Sequence, residues 1–184
     1  MRRLAASAAA PSLLPLLALL VFTWGCGTPP ERVTVIGPTE WSALGLAFTL
    51  PEGIWEVQRF GPSAGVITLS DRQGGGEMAL FRSESRAEAP GWLLLHELLA
   101  EFRSKKELKA WAARSADGRE WNCGLFLIEE ERHVPTAACA TQADGLAYRL
   151  VVWGRKGTPE ALQEFLDGVV RSARILGRND AEKR

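Results

Sequence analysis

Short stretches of this 184-residue chain carry side chains in patterns that resemble catalytic or ligand-binding motifs, and each fails on spacing or context. Gly61-Pro62-Ser63-Ala64-Gly65 spells G-x-S-x-G. A nucleophile elbow needs a strand before the serine and a helix after it. Here Val66-Ile67-Thr68-Leu69 follows, which has the composition of a strand, so Ser63 belongs to a hairpin turn. His96-Glu97 opens like H-E-x-x-H, but Ala100 stands where the second histidine is required. With His96 and His133 as the chain's two histidines, a multi-histidine zinc site cannot form. Glu129-Glu130-Glu131 lacks the alternating oxygen ligands of a calcium loop and reads as a solvated hairpin tip, partly offset by Arg132. Gly74-Gly75-Gly76 lacks the Lys-Ser/Thr of a phosphate loop and lies between strands. The sequence therefore assigns no catalytic residue, metal or cofactor, and the expectation is a protein that is not an enzyme.

The cysteines carry a more specific signal. Cys123 and Cys139 lie eight residues on either side of Glu131, in two strand-like stretches, residues 120–129 and 136–141. A hairpin centred on Glu131 sets them opposite each other, close enough for a disulfide. The competing reading is two buried thiols acting as small hydrophobes. No Cys-x-x-Cys is present, so a redox role is not expected.

Cys26 stands apart from this pair, at the end of an export segment. Arg2 and Arg3 form a positive start, and residues 11–22 are almost wholly apolar. About a dozen residues suits a signal peptide and falls short of the roughly 20 needed to span a bilayer. Thr23-Trp24-Gly25-Cys26 resembles a bacterial lipobox, with Gly25 as the small residue before the cysteine. This resemblance implies that Cys26 becomes a lipid-modified first residue. Gly27, not being Asp, then implies sorting to the periplasmic face of the outer membrane. The rival cut uses Gly25 and Gly27 as the small pair of an ordinary signal peptidase and discards Cys26. The lipoprotein reading is preferred because the apolar run stops at the cysteine and a polar, Pro-containing tether follows. The chain then divides into a signal peptide (1–25), a tether (26–32), a single domain (33–176) and a polar tail (177–184).

Lysine plus arginine equals aspartate plus glutamate, at 22 each. Loss of Arg2 and Arg3 lowers the basic count to 20, so there is no excess to neutralise phosphates and nucleic-acid binding is excluded on electrostatic grounds. Seven tryptophans are many for this length, and most must fill the core. Trp41 and Trp92 lie near the starts of elements. As an exposed pair they would make a binding patch, whereas packing into the core is the competing expectation.

The elements that position these residues follow from periodicity. Residues 44–50, 54–60, 65–70, 77–83, 108–114, 120–129, 136–141 and 146–154 read as strands, separated by Gly-, Pro- and Asp-rich turns. Pro51-Glu52-Gly53 is expected to end the first of them. Residues 90–102 change to helical period, with Leu94, Leu95, Leu98 and Phe102 as the buried stripe and His96 outside it. Thr158 is a good N-cap and Pro159 a good first helical residue. Leu162, Phe165, Leu166, Val169, Val170 and Ala173 then form one apolar stripe. Leu125 to Ile128 and Leu150 to Trp153 are apolar on both faces, as central strands covered from both sides must be. The fold class is α+β, an antiparallel sheet covered by helices.

This order resembles the Mog1/PsbP-like α/β/α sandwich. Leu46-Ala47-Phe48-Thr49-Leu50-Pro51-Glu52-Gly53-Ile54-Trp55 is similar to the F-x-L-P-x-G-W opening of bacterial members. Tyr148-Arg149-Leu150-Val151-Val152 and the helix ending in residues 170–176 match the close. The resemblance covers residues 33–176. It implies an exported or lipid-anchored accessory protein without catalysis. The expected function is a non-enzymatic interaction module of the cell envelope, held to the membrane through an N-terminal lipid and working with an envelope protein partner. The alternative is a lipoprotein that binds a small ligand or polysaccharide. The anchor is testable by intact mass: a diacylated or triacylated chain beginning at Cys26 is expected, and a mature chain beginning at Thr28 would overturn it.

Overall fold

The computed structural model describes residues 33–60, 65–85, 90–100, 105–129, 133–154 and 158–176. The export segment with Cys26, Ser63, Phe102, Glu130, Glu131 and the polar tail lie outside the described residues. The strands are β1 (Val33–Ala43), β2 (Leu46–Phe60), β3 (Val66–Asp71), β4 (Glu77–Glu84), β5 (Lys105–Arg114), β6 (Glu120–Glu129), β7 (His133–Ala143), β8 (Leu146–Trp153) and β9 (Arg174–Ile175). The helices are α1 (Gly91–Leu99), between β4 and β5, and α2 (Pro159–Ser172), between β8 and β9. All strand pairs are antiparallel, in the order β1-β2-β3-β4-β8-β7-β6-β5, with β9 added to β2. No helix among the described residues is long and apolar enough to cross a membrane.

The sheet carries an apolar surface on each side, and one helix lies on each. The larger layer gathers Trp55, Phe48, Leu50, Leu69, Met78, Leu80, Trp121 and Leu150 beneath Leu162, Leu166, Val169 and Val170 of α2. Thr158 caps α2 as its type predicts, its hydroxyl accepting from the Ala161 N–H at 3.3 Å. The smaller layer sets Leu94, Leu95 and Leu99 of α1 over Phe126, Ile128, Ala138, Ala140 and Val151. The sheet therefore has the helix-covered antiparallel form read from the sequence.

Several boundaries differ from the sequence reading. Residues 33–43 form a strand that was not expected, and Leu44 and Gly45 turn it into β2 with positive φ at both positions. Two such residues match the twist of a tight hairpin. Arg82 donates to the Leu44 carbonyl at 3.1 Å, which supports this turn. Pro51-Glu52-Gly53 does not end a strand. β2 runs through it, because β1 shifts register between Gly37 and Thr39 on the facing side and absorbs the irregularity. The Trp55 indole donates to the Pro51 carbonyl at 3.0 Å across the same bend. Within α1 the buried side chains are Leu94, Leu95 and Leu99, with Leu98 half-buried, and the helix packs mainly on β6 and β7.

A latch joins the β5–β6 turn to the segment that follows α2. The Asp117 carboxylate accepts from the Ser115 hydroxyl and from the N–H groups of Arg119 and Ile175, while the Ala116 N–H reaches the Ala173 carbonyl. Partial burial pushes the Asp117 carboxyl up, but these hydrogen bonds and the Arg119 charge outweigh it and hold the group below its ordinary value.

The register of β6 on β7 pairs Cys123 with Cys139, and a disulfide joins them with Cα atoms 4.0 Å apart. It closes a segment with a sequence separation of 16. Replacing both cysteines by alanine should cost about 3 kcal/mol on the loop-entropy scale, read from urea unfolding with and without reductant. A reductant-insensitive wild-type midpoint would contradict a bridge in the folded protein.

Candidate functional site

Among the described residues, three of the four exposed large hydrophobics, Trp92, Leu93 and Leu108, lie on α1 and β5. β5 is a terminal strand among the described residues, paired on one side to β6. Between it and α1 runs a groove of about 370 Å³, with Trp92, Leu95, His96 and Leu99 on the helix side and Ala110, Ala112, Asn122 and Phe126 among the residues on the sheet side. Trp92 is 55% exposed and Leu93 37%. Trp92 stands edge-on to His96, one helical turn on, with ring centroids 6.2 Å apart.

Local chemistry fixes this geometry. Gly91 opens α1 and lets its first turn touch the sheet. A Cβ there would lie 2.9 Å from the Ala140 carbonyl oxygen and 2.5 Å from Asn122 Nδ2. Gly124 makes the matching space in β6, because Phe126 folds its ring back over it and a Cβ would meet that ring at 2.3 Å. Arg149 of β8 pins the helix. It donates to the Leu94 carbonyl at 3.1 Å, to Ser83 Oγ at 2.8 Å and to Glu97 Oε2 at 3.1 Å. Its guanidinium fork thus joins α1, β4 and β8. Trp111 holds β5 on the other face, its indole donating to Asp167 Oδ1 of α2 at 2.6 Å.

The sequence-derived candidates fall in different places. Trp41 is half-buried, packs edge-on to Phe48 at 5.4 Å and belongs to the α2 side of the sheet. Trp92 is on the α1 side, so the two do not form one patch. Cys123 and Cys139 are buried in the sheet, and Cys26 lies outside the described residues. His96 is exposed on α1, as its position off the apolar stripe predicts. No group of three or more potential metal ligands occurs among the described residues. Sequence reasoning did not single out Leu93, Gly91, Asn122, Arg149 or the edge alanines. The signal for the last was present, since Lys105-Lys106-Glu107-Leu108-Lys109 is a charge-rich strand of the kind that guards a sheet edge.

With this geometry the chain can be set beside known proteins. No family model matches it, and no curated protein is similar in sequence. Among solved structures it is similar to the solution structure of cyanobacterial PsbP (CyanoP) from Synechocystis, with a TM-score of 0.55 and 15% identity over 85% of this chain and 99% of that one. A crystal structure from Bacteroides thetaiotaomicron aligns with a TM-score of 0.48 and 14% identity over 79% of this chain and 49% of that one. The first likeness shows that the fold is PsbP-like.

Two substitutions test how the groove is held. Gly91→Ala should destabilise the domain by about 1–3 kcal/mol, since backbone on the sheet cannot yield to the new methyl. Arg149→Met should cost about 2 kcal/mol by removing charged hydrogen bonds, and should speed amide exchange in α1 ahead of the rest. Both are read by urea unfolding and hydrogen exchange. Unchanged exchange in α1 would show that Arg149 does not pin it.

Proposed function

We propose that this chain is a non-enzymatic accessory protein of the cell envelope, carried on a lipid at Cys26 and binding a protein partner through the α1–β5 surface. The observation that carries the reading is Trp92, exposed at the rim of a preformed groove and followed by the exposed Leu93. An exposed tryptophan beside a concave apolar surface has the character of an interface anchor. Chain economy supports it too, because Trp55 and Trp121 are fully buried, while Trp41 and Trp111 are covered in part. The PsbP-like fold is compatible with an accessory role and by itself fixes no function.

The groove also supports a second reading, a small-ligand or oligosaccharide-binding lipoprotein that stacks its ligand on Trp92. Its volume of about 370 Å³ lies at the small end of the ligand-site range. One comparison separates the two. Affinity capture from detergent-solubilised envelope should recover a stoichiometric protein partner with the wild type. Trp92→Ala should weaken that capture by about 2 kcal/mol, roughly thirtyfold, at an unchanged melting temperature. Absence of any Trp92-dependent partner, together with a saturable thermal upshift from a small saccharide, would replace the first reading by the second.

A further inference from the structure

We propose that the free edge of β5 docks an extended acidic segment of a partner as an added antiparallel strand, with the partner's apolar side chains entering the α1 groove. The inference rests on the interaction reading above and specifies its partner chemistry.

The backbone supplies the first argument. Cys123 and Cys139 face each other with Cα atoms 4.0 Å apart, the short spacing of a non-hydrogen-bonded pair. The N–H and C=O of Cys123 therefore point away from β7, toward Trp111 of β5. These groups alternate in direction along a strand, so those of Ala110 and Ala112 point outward at the open edge. The same two alanines line the groove, and both are exposed. Their small side chains let a second backbone come close. A strand laid there would make ladder hydrogen bonds at Ala110 and Ala112 and place alternate side chains against Trp92 and Phe126.

Charge selects the occupant. β5 carries Lys105, Lys106, Lys109 and Arg114 against Glu107, an excess in a chain of zero formal charge. Among the described residues none of the four cations is in an ion pair. Lys105 donates to the Leu99 carbonyl and Lys109 to Gln163 Oε1 at 3.0 Å, both neutral acceptors, with Glu160 within electrostatic reach of Lys109. Lys105 and Arg114 stand on the α1 face, and Lys106 and Lys109 on the α2 face, so an incoming strand meets positive charge on both sides. A second copy of this chain is disfavoured by the same charges. Antiparallel pairing of two β5 edges about Ala110 would set Lys106 against Arg114.

The test uses the mature domain and two synthetic ten-residue peptides, one alternating valine with glutamate and the other alternating valine with lysine. Titration with the acidic peptide should slow amide exchange at Ala110 and Ala112 at least tenfold and shift the Trp92 indole resonance. Binding should weaken as salt rises. The basic peptide should bind at least tenfold more weakly, and Lys106→Glu with Lys109→Glu, both surface changes, should reverse that preference. Equal binding of the two peptides, or no protection at Ala110 and Ala112, overturns the proposal. So does concentration-dependent protection of the same amides in the protein alone, which would make the occupant a second copy. If envelope capture still depends on Trp92 while the β5 amides stay unprotected, the acidic-strand proposal fails and the interaction reading stands. If no Trp92-dependent partner exists, the interaction reading itself fails.

Discussion

Everything in this domain follows from one constraint: a sheet with two apolar faces has to be covered twice, and the chain provides two helices of unequal length. α2 has 14 residues and α1 has 9. α1 runs along β6, from Gly91 beside Asn122 to Leu99 beside Lys105, and a helix about 10 Å across, on strands about 4.8 Å apart, can shield only two or three of them. It packs on β6, β7 and β8. The face beyond, toward β5, is where the groove lies and where Ala110 and Ala112 stay exposed. The surface proposed to bind a partner is thus a consequence of incomplete coverage, and the rigidity of what surrounds it makes the surface usable.

That rigidity has separate sources on the two sides of the groove. On the helix side, Gly91 brings α1 onto the sheet and Arg149 fastens it with two hydrogen bonds, while a third ties the same guanidinium to Ser83 of β4. On the sheet side, the disulfide locks β6 to β7, and Trp111 ties β5 to α2 through Asp167. A binding edge that had to order itself on contact would lose affinity to conformational entropy. Here the floor, the wall and the edge are each held by contacts that do not involve a ligand.

An open edge strand is also a hazard, and β5 shows how the hazard is limited. Its register shifts between Glu107 and Lys109, next to Leu108, which is 43% exposed, and lysines crowd its first half. Both features discourage indiscriminate pairing. The opposite edge, β1, has its own irregularity at Gly37, Pro38 and Thr39, although Ile36 there is 72% exposed. Charge on β5 disfavours a like strand, and on the proposal that an acidic strand docks there, protection against self-association and selection of a partner have the same physical basis.

The sequence by itself determined the elements whose periodicity or turn chemistry is local. Residues 120–129 were read as β6 with its observed ends, α2 follows from Thr158, Pro159 and an unbroken apolar stripe, and the symmetry of 123 and 139 about Glu131 specified the hairpin register. Export and a lipid on Cys26 remain expectations from the apolar run and the lipobox resemblance, on residues outside those described. The sequence misjudged β1 and the passage of β2 through Pro51, because a proline and a glycine end a strand only when the facing strand cannot bulge to accommodate them, and that partner is remote from any local pattern. Tertiary structure alone decided which tryptophan is exposed. Trp41 and Trp92 are equivalent as sequence positions near element boundaries, but one is covered by Phe48 on the α2 side and the other is left at the rim of a helix that packs on β6, β7 and β8 and leaves the β5 edge uncovered. Exposure is set by what packs from elsewhere in the chain, and no local spacing encodes it.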